Sequence, residues 1–111
     1  LHLGHEKIEV SVALLLNRQN QLISVRELSR GTVAENTLYI REIVKLALDE
    51  YADSLIIAHN HPGGSVEPSH EDIAFTGRLA QAMSLVDVSL LDHFIVTSRS
   101  VCSFRQLGLM P

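Results

Sequence analysis

Two histidines one residue apart, His59 and His61, close a short apolar run, Ser54–Ala58. In an extended segment residues i and i+2 point to the same side, so the two imidazoles converge on one spot. Zinc takes histidine nitrogens at about 2.0–2.1 Å, and such a pair suits it. Asp72 comes eleven residues after His61 and falls in the first turn of a helix if Ser69 is the N-cap. Two histidines and one carboxylate leave the fourth tetrahedral position to water, the arrangement of a hydrolytic zinc site. The same residues also have plainer uses. A histidine at a strand end is commonly a satisfied polar group, Ser69 an ordinary cap, and Asp72 the N3 partner of that cap, where it complements the helix dipole. Spacing alone leaves both readings open.

The elements that must position these residues are legible in outline. Ile8–Asn17 and Gln21–Ser29 are rich in Val, Ile and Leu, with a turn over Asn17–Asn20, and read as a β-hairpin. Gly31 and Thr32 break that pattern and Val33–Asn36 reads as loop. From Leu38 the period changes: Ile40, Ile43, Val44, Ala47, Leu48 and Tyr51 form one stripe of an amphipathic helix. Ser54–Ala58 reads as a buried central strand. Pro62, Gly63, Gly64 and Pro68 mark a loop, after which Phe75, Leu79, Met83 and Val86 outline a second helix capped by Ser69, with His70 facing solvent. Val88–Thr97 and Val101–Phe104 complete the order β-β-α-β-α-β-β, which predicts an α/β fold of mixed α+β type, a mixed sheet with helices packed on it.

Composition narrows the function classes. The 111 residues fit one domain with a core of its own. They are too few for a TIM barrel, which needs about 250. Apolar runs fall far short of the ~20 residues that cross a bilayer, and no signal peptide is visible. A formal charge of −4, with nine Lys and Arg spread singly, lacks the electrostatic footprint of a nucleic-acid binder. The letters His59-Asn60-His61 invite comparison with HNH nucleases, but those spread their motif over a whole metal-binding unit, and the basic surface that draws DNA is missing. The single cysteine, Cys102, excludes an internal disulfide and a Cys-rich zinc site, and reads as a small buried hydrophobe.

Read as a pattern, His59-Asn60-His61, seven residues, Ser69, two residues and Asp72 give H-x-H-x7-S-x2-D, which resembles the JAMM motif of the MPN metalloprotease domains. The flanking words Gly31-Thr32, Arg41-Glu42-Ile43-Val44, Ala58-His59-Asn60-His61-Pro62, Glu67-Pro68-Ser69 and Leu91-Asp92-His93 are similar to the bacterial RadC family, traditionally labelled as DNA-repair proteins. The likeness runs from Glu9 to Leu109. RadC relatives usually carry Ser where this chain has Gly63 or Gly64, a departure that touches none of the ligands.

The resemblance implies a single MPN-type domain over residues 1–111, with the N-terminal helical region of the family outside this chain, which opens at Leu1 without a methionine as a portion of a longer protein would. It implies one catalytic zinc held by His59, His61 and Asp72, with Ser69 stabilising an oxyanion. A glutamate on an earlier strand holds the attacking water in such enzymes. Glu9, directly before Val10–Leu16, matches that position, Glu6 competes with it and Glu27 stands behind both. Alternation favours Glu9: if Val10, Val12 and Leu14 face one side, Glu9, Ser11 and Ala13 face the other. Asp92 and His93 are candidates to orient a ligand's free ring nitrogen, and as neighbours in a strand only one can face the site. The implied activity is metallopeptidase-like hydrolysis of a peptide or isopeptide amide in a cytoplasmic bacterial protein. Its partner is a peptide or protein substrate, with no direct nucleic-acid contact and no membrane. The alternatives are a repair or recombination protein and a metal-binding MPN scaffold without peptidase activity.

Overall fold

The computed structural model describes residues 3–5, 7–31 and 38–111. After a short 3-10 turn, Leu3–His5, the elements are β1 (Glu9–Leu16), β2 (Leu22–Gly31), α1 (Ile40–Asp49), β3 (Ser54–Asn60), α2 (His70–Leu85), β4 (Ser89–Val96) and β5 (Val101–Ser103). They form a five-stranded sheet in the order β2-β1-β3-β4-β5. The hairpin closes on Asn17, whose Oδ1 accepts from the backbone N–H groups of Gln19 and Gln21, while Asn20 takes the left-handed conformation that asparagine tolerates. β1 is antiparallel to both β2 and β3, and β5 is antiparallel to β4. β3 and β4 are parallel, a pairing that requires a crossover, and α2 supplies it. The mixed α+β architecture is the one expected. Thr32, the Val33–Asn36 loop and the rival glutamate Glu6 lie outside the described residues.

Alternation along β1 gives the sheet its two faces. Ala13 and Leu15 join Ile43 and Ala47 of α1, Leu55 and Ile57 of β3, and Leu79 and Met83 of α2 in the main core. Val10 packs on the opposite face with Leu3 and Ala58. Glu9 therefore shares the face on which the helices lie. The α1 stripe is shorter than expected. Ile43 and Ala47 are buried, but Leu48 is 48 % and Tyr51 88 % exposed. The helix stops at Asp49, and the turn that leads into β3 sends Tyr51 into solvent with φ 55°.

One irregularity bears directly on the site. Leu55 pairs with Leu90 and Ile56 with Asp92, so Leu91 is an extra residue in β4, a β-bulge. Without it Asp92 would share the face of Leu90. With it His93 turns to the helix face, and Asp92 to the other side. There Asp92 accepts hydrogen bonds from Ser103 Oγ and the Arg105 backbone N–H.

Candidate metal centre

β3 runs two residues beyond the expected Ala58 and carries His59 and Asn60 into the sheet, and His61 follows with its backbone N–H bonded to the Val96 carbonyl. The loop then turns, and Gly64 sits at φ +89°, where a serine would be strained. Gly63 has open space around its Cβ position and would accept a side chain.

Ser69 is the N-cap of α2, as expected. Its Oγ accepts from the Asp72 N–H at 3.0 Å, and Asp72 Oδ2 accepts from the Ser69 N–H at 3.1 Å, a reciprocal capping box. His70 is exposed. The cap sets Asp72 over the end of β3, where the same Oδ2 lies 3.6 Å from His59 Nε2 and 3.5 Å from His61 Nε2. One oxygen thus serves both the cap and the imidazoles. The two Nε2 atoms are 2.9 Å apart. Ligand atoms bound at 2.0–2.1 Å in a tetrahedron stand about 3.3–3.4 Å from one another. Edges of 2.9, 3.5 and 3.6 Å approximate one face of such a tetrahedron.

Hydrogen-bond directions settle what the imidazoles present to that face. Thr76 Oγ1 donates to the Asp72 carbonyl at 2.7 Å, so its proton is committed and it must accept from His93 Nδ1, also at 2.7 Å. Burial pushes His93 down to a pKa of about 3, so the ring is neutral at physiological pH. Its Nε2 then carries a lone pair and accepts from His59 Nδ1 at 2.7 Å. His59 consequently turns an unprotonated Nε2 toward the site. His61 does the same, because its Nδ1 donates to the Ser65 carbonyl at 2.8 Å. Two lone pairs 2.9 Å apart repel unless a proton or a metal cation lies between them. The donor set therefore fits a divalent cation. Burial alone would raise the Asp72 carboxyl, but without metal the bond and attraction of a His59 that has taken up the shared proton, together with the bonds to Ser69, outweigh it and hold the group well below the usual carboxylate range. A second carboxylate is close: Glu9, His59 and His61 offer ligand atoms that all lie within 4.8 Å of one another.

Each residue singled out by sequence is thereby placed. Glu9, His59, His61, Ser69 and Asp72 meet at one end of the sheet, and Glu9, His61, Ser69 and Asp72 line an open groove of about 720 Å³. Of the adjacent pair, His93 faces the cluster, stacked on Phe104 with ring centroids 4.4 Å apart, and Asp92 does not. Glu27 lies on β2, opposite Val12, and pairs with Arg30. Cys102 is buried with Ile95 and Phe104. Thr76 was not singled out, although its place one helical turn after Asp72 puts both on one face of α2.

A family model for the RadC-like JAB domain matches residues 1–109. The chain belongs to that family. Among curated relatives, this RadC-like JAB domain is 92 % identical over 110 residues to a UPF0758 protein of Neisseria meningitidis serogroup B, covering 99 % of this chain and 49 % of that protein. It is 90 % identical over 110 residues to a UPF0758 protein of Neisseria gonorrhoeae, with the same coverage. With a UPF0758 protein of Thiobacillus denitrificans it shares 48 % identity over 108 residues, covering 97 % of this chain and 48 % of that protein. The RadC-like JAB domain thus spans about half the length of the curated relatives it matches. The JAB family includes metalloproteases and typically binds a metal. Among the described residues, no helix is long and apolar enough to cross a membrane.

Proposed function

We propose that this domain is a zinc-dependent hydrolase of the JAMM type that cleaves a peptide or isopeptide amide. One observation carries the proposal: the unprotonated Nε2 atoms of His59 and His61 converge at 2.9 Å with Asp72 Oδ2 3.5–3.6 Å from both. His59, His61 and Asp72 would hold the metal. Zinc in that place supplies a water with its pKa lowered to about 7 and polarises the amide carbonyl. Glu9, half-buried beside the imidazoles, takes the proton from the attacking water and returns it to the leaving amine. Ser69 Oγ is an acceptor in the helix cap, which leaves its proton to donate to the developing oxyanion. The groove past His61 and Ser69 is open enough for an extended peptide or protein segment. In this reading residues 1–111 form the catalytic domain of a longer protein.

The test is cleavage of peptide and isopeptide libraries by the zinc-loaded protein, read by mass spectrometry, with Glu9→Gln as control. The expected result is cleavage by the wild type and a loss of at least roughly 10²-fold in kcat for Glu9→Gln, with zinc added to saturate both proteins. Equal cleavage by Glu9→Gln, or a loss confined to Glu6→Gln, refutes the assignment of the base. Stoichiometric zinc with no cleavage of any amide favours the scaffold reading.

A further inference from the structure

Between the two histidines stands Asn60, 1 % exposed and without an evident part in hydrolysis. The β1–β3 ladder runs from Leu16↔Ser54 to Ser11↔His59 and ends there. Beyond that pair the Asn60 carboxamide continues it. Its Oδ1 accepts from the Val10 N–H at 2.6 Å, and its Nδ2 donates to the Ile8 carbonyl at 2.7 Å. These two peptide groups flank Glu9 on one edge of β1, while the other edge stays paired to β2 through Glu9↔Gly31 and Val10↔Arg30. One side chain thus holds the strands apart at the sheet end where Glu9, His59 and His61 come within 4.8 Å. The task needs a short, neutral group with one donor and one acceptor in a single plane. Asparagine supplies both, serine is too short and aspartate lacks the donor.

We infer that Asn60 is a positioning residue: bonded covalently to both imidazole-bearing residues and by hydrogen bonds to both neighbours of Glu9, it fixes the Glu9 carboxylate relative to the metal. The inference rests on the metal reading above. Partners one step removed from a metal typically change its affinity 10–100-fold when lost, and misplacing a catalytic group by about 1 Å can cost 10²-fold in rate.

A double-mutant cycle in zinc affinity, measured by chelator competition, tests it on wild type, Glu9→Gln, Asn60→Ser and the double variant. Glu9→Gln and Asn60→Ser should each weaken zinc by about 10-fold or more, and the double variant should bind no more weakly than the weaker single. Losses that multiply would show that Asn60 acts on the imidazoles independently of Glu9 and overturn the inference, as would unchanged affinity in Asn60→Ser. A wild type that binds no zinc refutes the metal reading instead, so the two failures are distinct. Should Asn60→Ser not fold, Asn60→Asp keeps the shape and the bond to Val10 and enters the same cycle. In the wild type, a Val10 amide that exchanges with solvent at the rate of exposed loop amides would also overturn the inference.

Discussion

Replacing Thr76 by valine keeps the shape of a side chain that is 1 % exposed and removes only its hydroxyl. That hydroxyl makes two bonds of 2.7 Å, one to the Asp72 carbonyl and one from His93 Nδ1. The carbonyl keeps its place in the helix ladder, but the buried His93 N–H loses its acceptor. An unsatisfied buried donor costs about 1–3 kcal/mol, and each kcal/mol moves the melting midpoint of a domain this size by about 4–8 °C. The metal-free variant should therefore melt about 4–24 °C lower. His93 can avoid the cost by moving its proton to Nε2, but that atom faces His59 Nδ1. His59 would then have to carry its own proton on Nε2, which blocks the lone pair offered to the metal. Zinc affinity should fall about 10–100-fold along that route. Thermal unfolding without metal and chelator competition with it read the two outcomes, and Thr76→Ser should restore both. A Thr76→Val domain with wild-type midpoint and wild-type zinc affinity would refute the chain of hydrogen bonds from Asp72 to His59.

The depressed His93 gives a pH dependence. Its folded pKa of about 3 lies below the unfolded value of 6.5, so its contribution to stability is complete above pH 6.5 and is lost as pH falls from 6.5 toward 3, where only the unfolded chain takes up the proton. Metal-free unfolding by denaturant should lose up to about 1.4 kcal/mol per pH unit in that window, and His93→Gln should flatten the slope; equal slopes in the two proteins would contradict the assignment. Ser69→Ala should cost about 1 kcal/mol of stability through the lost cap. It should leave zinc affinity almost unchanged, because the Asp72 bond comes from the Ser69 backbone N–H, yet lower amide hydrolysis about 10²–10³-fold if the hydroxyl serves the oxyanion. Loss of zinc in Ser69→Ala would assign the hydroxyl to the metal instead.

The ligand spacing, the Ser69 cap, the order of elements and the face of Glu9 were legible because each rests on local periodicity: two residues per repeat in strands, three or four in helices. Asp92 and His93 could not be told apart, because the choice depends on the extra residue Leu91, which shows only in the pairing of β4 with β3. Spacing alone puts Tyr51 on the α1 stripe, whereas the turn into β3 sends it outward. No local pattern marks Asn60, and Thr76 is marked only by its place one helical turn after Asp72. Their parts arise from partners 50 and 17 residues distant in sequence, Val10 and His93.

X-ray absorption at the zinc edge, on protein loaded with one equivalent of zinc, reads the ligands of the metal itself. A centre built on His59, His61 and Asp72 gives a nitrogen and oxygen shell at about 2.0–2.1 Å with the outer-shell scattering of two imidazoles, and loses that signal in His61→Ala. Cys102, buried with Ile95 and Phe104, should contribute nothing. A sulfur shell at about 2.3 Å, or a spectrum that His61→Ala leaves unchanged, would contradict it.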